Sequence, residues 1–184
     1  MKKIILIAAL NVIFLSCKKE NEKSLFTIGQ DYQGGKIAYI DATGLHGLIA
    51  APVDQSQARW HDLNLSAGNS TTGAIGVEIG TGKSNTDAII AFHGSENHAA
   101  RICYDLVLGG YDDWYLPSKL ELNQLYINRV AIGNFSNSPG WFYWSSSEPN
   151  EIDPESAWSQ SFVTGAIALS IKASTDKVRA VRSF

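Results

Sequence analysis

The order of the hydrophobic patterns along the chain is the feature that most constrains its fold. Strand-like segments lie near both ends, at Lys36–Asp41, His46–Pro52, Ala157–Val163, Ile167–Ile171 and Lys177–Phe184. A helical spacing occupies the middle, where Ser118 and Glu121 form an S-x-x-E capping box. Because strands and helices are grouped and do not alternate, we predict an α+β fold with an antiparallel sheet, two to three short helices and long loops.

Several local elements are predicted with less support. Gln55–Leu65 has the character of a short helix or turn, and residues 66–83 are rich in Gly, Ser and Thr, which is typical of a loop. A short helix capped by Ser84 or Thr86 should run through Phe92. A further helix should begin after Ser95 and end at Gly109-Gly110, where a left-handed residue would terminate it.

The first residues resemble the signal peptide of a bacterial lipoprotein. Lys2 and Lys3 precede the apolar run Ile4–Leu15, which is too short to cross a bilayer but suits a signal-peptide core. The run leads into Phe14-Leu15-Ser16-Cys17, which is similar to a lipobox although Phe14 occupies the usual leucine position. We therefore expect cleavage after residue 16 and lipidation of Cys17. The alternative is a cytosolic protein with an apolar N-terminal helix or strand.

The same interpretation divides the chain into a signal peptide (1–16), a charged flexible tether (17–24) and one domain (25–184). We expect an envelope location, and Lys18 instead of aspartate after the cysteine favours the outer membrane. Removal of residues 1–16 would change the formal net charge from −3 to −5, which argues against nucleic acid as a partner. Since only Cys103 remains, no intramolecular disulfide can form, and we expect a buried thiol.

Candidate ligand-binding residues fall in two places. The segment Glu148–Glu155 contains four carboxylates and Asn150, so Glu148, Asn150 and Asp153 are a calcium candidate; the alternative is a solvated acidic loop. Asp112 and Asp113 precede Trp114 and are candidates for a polar site or a simple turn. Trp114 and Trp144 could stack on sugar rings if exposed, although we expect at least three of the five tryptophans to be structural.

The sequence lacks the usual catalytic signatures. Gly80-Thr81-Gly82-Lys83-Ser84 lacks the first glycine of a phosphate-binding loop, because position 77 is valine. There is no H-E-x-x-H zinc motif and no G-x-S-x-G elbow, and His93 and His98 are five residues apart. These absences favour a non-catalytic protein without a cofactor.

Two segments resemble a known family. Gly109-Gly110-Tyr111-Asp112-Asp113-Trp114-Tyr115-Leu116-Pro117-Ser118 and Tyr143-Trp144-Ser145-Ser146-Ser147-Glu148 are similar to the signatures of the Lcl C-terminal domain family, and the likeness extends over residues 25–184. The resemblance implies a C-type-lectin-like fold and, in some members, adhesion or glycan binding. The first of these segments also resembles the formylglycine-generating-enzyme branch of that fold. The catalytic cysteine pair of that branch is missing here.

Glu148-Pro149-Asn150 also matches the calcium and mannose motif of C-type lectins, whereas the partner Trp-Asn-Asp motif is missing. We therefore expect a lipid-anchored surface module that binds a glycan or a protein, with calcium as a weak candidate ion. Two alternatives stay open: an envelope carbohydrate-active hydrolase that uses loop carboxylates, and a structural envelope protein that associates with its own copies.

Overall fold

The computed structural model describes residues 25–61, 71–149 and 153–184. Nine strands and four helices lie within this part of the chain. In order they are β1 Asp31–Tyr32, β2 Gly35–Ile40, β3 Gly47–Ala50, β4 Gln55–Arg59, α1 Gly82–His93, α2 Ala99–Tyr104, α3 Lys119–Ile127, α4 Arg129–Ile132, β5 Tyr143–Trp144, β6 Ser156–Gln160, β7 Ile167–Ile171, β8 Thr175–Val178 and β9 Val181–Ser183. The predicted α+β class is confirmed, and the order is consistent with the C-type-lectin-like expectation.

The strands form two sheets, where the sequence analysis predicted one. A four-stranded antiparallel sheet has the order β1-β2-β3-β9, so the last strand of the chain joins the N-terminal hairpin. The second sheet has the order β4-β8-β5-β6-β7, and its β5–β8 pair is parallel. The predicted terminal strand Lys177–Phe184 is therefore wrong as a single element. It divides into β8 and β9, which belong to different sheets.

Three local predictions are corrected. Gln55–Arg59 is a strand that pairs with β8, where a helix or turn was expected. Helix α1 begins at Gly82, ahead of both predicted caps. Helix α2 is only Ala99–Tyr104, and its N-cap is His98, whose Nδ1 accepts a hydrogen bond from the Arg101 N–H. Serine is a common N-cap residue and can be recognised in a sequence, whereas a histidine that caps a helix through its imidazole is not recognisable in this way.

The Gly109-Gly110 pair has a different role from the predicted helix stop. Both glycines have positive φ, of 66° and 83°. They form a tight turn closed by two backbone hydrogen bonds between Leu108 and Tyr111, at 2.9 and 3.2 Å. Left-handed pairs of this kind favour narrow hairpins. The turn, and not a helix end, therefore positions the Tyr111–Trp114 segment.

The core contains three of the five tryptophans. Trp60, Trp114 and Trp144 are buried, which confirms the expectation that at least three are structural. The Trp60 indole N–H donates to the Ser145 carbonyl at 2.7 Å, and that of Trp144 donates to the Ala58 carbonyl at 3.0 Å. Cys103 is also buried, as predicted, and burial raises the pKa of its thiol well above the usual range.

The capping box of α3 is confirmed and connects the helix to the loop before α1. Ser118 Oγ accepts from the Glu121 N–H, while the Glu121 carboxylate accepts from the N–H groups of Ser118 (2.7 Å) and Gly80 (2.8 Å). A Cβ on Gly82 would lie 2.1 Å from Glu121 Oε2. Of the two glycines that resemble a phosphate-binding loop, Gly82 is thus required by packing against a buried carboxylate, and Gly80 adopts a positive φ of 93° that favours glycine.

Candidate functional site

The Trp-Ser-Ser-Ser-Glu segment lies inside the protein. Ser147 Oγ donates to the Gly76 carbonyl at 2.6 Å and accepts from the Lys119 N–H at 3.0 Å. The Ser145 hydroxyl donates to the Trp158 carbonyl at 2.7 Å. These contacts join the segment to the loop before α1, to the start of α3 and to β6. The expectation that Trp144 contacts a ligand is corrected, because its ring is enclosed by this packing.

Glu148 is held in a buried ion pair. One carboxylate oxygen lies 2.5 Å from the Lys172 ammonium, and both side chains are almost fully buried. The carboxylate also accepts from the backbone N–H groups of Thr72, Gly73 and Ala74 at 3.0–3.1 Å. Burial lowers the pKa of Lys172, and the nearby Glu148 opposes that shift.

This environment changes the interpretation of the calcium candidate. A carboxylate that is already neutralised by an ammonium and hydrogen-bonded by three backbone N–H groups is occupied as an internal partner. Asn150 lies outside the described residues, and Asp153 is half-buried at the end of that gap. Within the described residues, no group of three or more His, Cys, Asp or Glu side chains is placed to hold a metal ion. The structure therefore assigns Glu148 an internal role.

Asp113 forms a second ion pair, which is only partly buried. Its carboxylate contacts the Arg182 guanidinium through two hydrogen bonds of 2.6 and 2.8 Å, and Arg182 holds the pKa of Asp113 below its usual range. The Asp113 side chain is still 49% exposed, whereas the Arg182 side chain is nearly buried. Asp112 is exposed, and the neighbouring Trp114 is buried, so the expected role of Trp114 as a ligand contact is corrected.

Arg182 also organises the surface around Asp113. Its guanidinium carbon lies 3.9 Å from the centre of the Tyr111 ring, and one of its N–H groups donates to Gln33 Oε1. Stacking of a guanidinium on an aromatic ring is favourable, and it fixes the orientation of both groups. Arg182 thereby links β9 to the Gly109–Asp113 turn and to the β1–β2 turn.

The two turns touch through their glycines. A Cβ on Gly109 would lie 2.4 Å from the Gly34 Cα, so neither turn could approach the other as closely with a larger residue. Gln33, next to Gly34, has a positive φ of 45°, which is uncommon for a residue other than glycine. The backbone thus holds the Gln33 side chain beside Arg182. We call the surface formed by residues 31–35 and 109–113 the double-turn surface.

The double-turn surface borders a hollow of about 310 Å³. It is lined by Asp31, Tyr32, Gln33, Gly34, Gly35 and Pro52. Its volume lies at the lower end of the range for small-molecule sites, which is about 300–1,000 Å³. A second hollow near Tyr39 and Phe184 has only about 190 Å³ and a largely apolar lining. Of these two hollows, the one of about 310 Å³ is therefore the better candidate for a ligand, since it adjoins the polar groups of the double-turn surface.

The double-turn surface carries groups that can form hydrogen bonds with hydroxyl groups and contacts with apolar faces. Asp31 and Asp112 are exposed carboxylates that can accept hydrogen bonds from hydroxyl groups. Tyr32 and Tyr111 are half-buried rings with apolar faces. The ion pair of Asp31 with Lys36, 2.8 Å long, lies at the same hairpin. Asp113 and Glu148, by contrast, occupy separate ion pairs and do not form a shared carboxylate site.

Sequence reasoning missed the residues that organise this surface. Arg182, Gln33 and Tyr111 were not among the predicted site residues. A signal was present in the Asp113 carboxylate, since a carboxylate directly before a buried tryptophan needs a cation or water. Nothing in the sequence, however, indicates that Arg182 is the partner, because 69 residues separate the two.

The comparisons with known proteins place the chain in a family without naming a ligand. The model of the Lcl C-terminal domain matches residues 53–182, which is more than half of the chain. No curated protein matches the chain in sequence. Among the described residues, no helix is both long and apolar enough to cross a bilayer. The chain belongs to the Lcl C-terminal domain family.

Proposed function

We propose that the chain is a non-catalytic, lipid-anchored surface module that binds a glycan at the double-turn surface. One observation carries the proposal: Arg182 fixes Asp113, Tyr111 and Gln33 around one surface beside a hollow of about 310 Å³. A preorganised set of polar groups beside aromatic rings lowers the entropic cost of binding a ligand. Membership of the family supports the domain type.

The proposed contacts follow from the chemistry of the surface. Tyrosine rings offer apolar faces for the C–H side of a sugar ring, and carboxylates accept hydrogen bonds from vicinal hydroxyls. Asp112 is exposed and makes no ion pair among the described residues, so it is the first candidate for direct contact. Asp113 would act mainly through Arg182, since both of its oxygens already accept hydrogen bonds.

The anchor belongs to the proposal on sequence grounds alone. Cys17 and the tether at 17–24 lie outside the described residues, as does the signal peptide at 1–16. Metabolic labelling with a fatty-acid analogue tests the anchor. Label in the parent chain and none in Cys17→Ser would support lipidation, whereas equal labelling would contradict it.

Glycan binding is tested with the purified protein on a panel of bacterial and host glycans. We expect saturable binding to at least one glycan and at least tenfold weaker binding by Asp112→Asn. Asp87→Asn is the matched control, because Asp87 is an exposed acid on α1 that pairs with Lys83. A chelator should leave binding unchanged. Binding to no glycan on the panel, or equal binding by both variants, would contradict the proposal.

A further inference from the structure

Strand β7 presents a row of exposed aliphatic side chains at the edge of the five-stranded sheet. Ile167, Leu169 and Ile171 are 39%, 42% and 61% exposed. They share one face with Trp158 of β6, which pairs with Leu169. The intervening Ala168 and Ser170 lie on the other face. The strand therefore shows its more apolar side to solvent.

The backbone groups of Leu169 point away from the sheet, whereas the Ile171 C=O accepts a hydrogen bond from the Ser174 N–H at 2.8 Å. The neighbouring strand β6 directs the N–H and C=O of Trp158 towards the Ser145–Ser147 segment. Since backbone direction alternates along a strand, Ala157 and Ser159 face β7, where their partners are Ser170 and Ala168. The N–H and C=O of Leu169 are thus directed outwards, at an edge with which no other described strand pairs.

The β7 edge lacks the usual protection against pairing. Edge strands in soluble proteins commonly carry a charge, a proline or a bulge. Among the described strands, the other three edges each contain a charged residue: Asp31 in β1, Arg182 in β9 and Arg59 in β4. Strand β7 reads Ile-Ala-Leu-Ser-Ile, and its pairing with β6 is regular throughout.

We propose that β7 pairs with β7 of a second copy of this chain, antiparallel and centred on Leu169. The sequence pattern is symmetric about that residue, so this register places Ile167 of each copy opposite Ile171 of the other. Leu169 lies opposite its own counterpart, with outward N–H and C=O groups that complete a hydrogen-bonded pair. No charge is buried. The match of this uncharged pattern to itself points to a second copy of the chain as the partner.

The size of the contact sets the strength of the association. One five-residue strand from each copy covers far less than the roughly 800 Å² per partner of a standard interface. The dimer is therefore weak in dilute solution and is best detected by covalent capture at the density of the expressed protein. Covalent capture also reports the register, which a mass measurement does not.

Disulfide trapping of the full chain in isolated membranes tests the proposal. In a hydrogen-bonded antiparallel pair the two Leu169 Cα atoms would lie about 5.5 Å apart, within the disulfide range of about 4.4–6.8 Å. Under mild oxidation, Leu169→Cys should give at least five times more covalent dimer than Val130→Cys. Val130 is 89% exposed on α4, so Val130→Cys measures random collision. Equal yields from the two variants would overturn the proposal.

Two further arms fix the register and the partner. Ile167→Cys alone should not exceed the collision control, because its two copies would lie about 14 Å apart. Co-expression of differently tagged Ile167→Cys and Ile171→Cys chains should give the mixed dimer, and adding Leu169→Lys to both should reduce it at least fivefold through repulsion. Efficient trapping by Ile167→Cys alone, or a trapped species that contains a different protein, would overturn the proposal.

Discussion

Removal of the Glu148 charge should destabilise the protein strongly. The perturbation is Glu148→Gln, which preserves shape but removes the carboxylate that lies 2.5 Å from the Lys172 ammonium. Both side chains are almost fully buried, and loss of one partner of a buried pair typically costs about 3–5 kcal/mol. The amide also accepts more weakly from the Thr72, Gly73 and Ala74 N–H groups. A loss of about 3 kcal/mol or more is expected.

Substitution of the other partner, Lys172→Met, should lower the free energy of unfolding by less. In Lys172→Met the Glu148 carboxylate keeps its three backbone N–H donors. In Glu148→Gln the Lys172 ammonium keeps its 2.7 Å hydrogen bond to the Pro154 carbonyl but loses the carboxylate at 2.5 Å. Burial already lowers the pKa of Lys172, so part of the penalty in Glu148→Gln can be relieved by deprotonation. Both variants together should cost less than the sum of the two single changes.

Urea denaturation followed by tryptophan fluorescence measures these differences, since the midpoint falls when the slope is unchanged. The matched control is Asp87→Asn, which removes an exposed partner of Lys83 and should change stability by less than about 1 kcal/mol. A Glu148→Gln cost below about 1 kcal/mol, with additivity in the double variant, would refute the reasoning. It would reopen the role of Glu148 as a ligand residue.

Three other outcomes are expected. Gly82→Ala should destabilise the protein by roughly 2 kcal/mol or more in urea melts, because the added Cβ would meet Glu121 Oε2. The control is Lys83→Ala at the exposed neighbouring position, which should not have this effect, and equal effects of the two variants would contradict the prediction. Burial raises the pKa of Asp176 to about 6, so its contribution to stability is largest below about pH 4 and is lost as the pH rises through 6. Asp176→Asn should therefore raise the melting temperature at pH 7.5 but not at pH 4. The pKa of Asp113 is lowered by Arg182, so Asp113→Asn should have the opposite pH dependence, with a loss above pH 4 of about 1 kcal/mol or less.

Local features of the fold were predictable from the sequence. The Ser118–Glu121 capping box, the two N-terminal strands and the burial of Cys103 depend on neighbouring residues or on composition, and all three were found. Strand and helix boundaries set by tertiary contacts were not. Gln55–Arg59 lacks strand composition, and it is a strand because β8 offers it an edge. Helix α2 ends at Tyr104, five residues before Gly109-Gly110, so the glycine pair forms a separate turn and does not mark the end of the helix.

The candidate site was predictable only in part. Asp112 and Asp113 were predicted to lie in a turn or a polar site, and both are exposed. Burial of Trp114, Trp144 and Glu148 depends on contacts between residues distant in sequence, such as the 24-residue separation of Glu148 and Lys172. Aromatic and acidic motifs alone do not distinguish a ligand site from a core that uses the same residue types.

The measurement that tests the proposed site most directly is the affinity of Tyr111→Ala for whichever glycan the panel identifies. Tyr111 stacks on Arg182 and lies on the double-turn surface, while Phe92→Ala removes a partly exposed ring from α1 and is the matched control. Isothermal titration should show at least a tenfold weaker affinity for Tyr111→Ala, no change for Phe92→Ala and similar melting temperatures. Equal affinities for both variants would contradict binding at the double-turn surface.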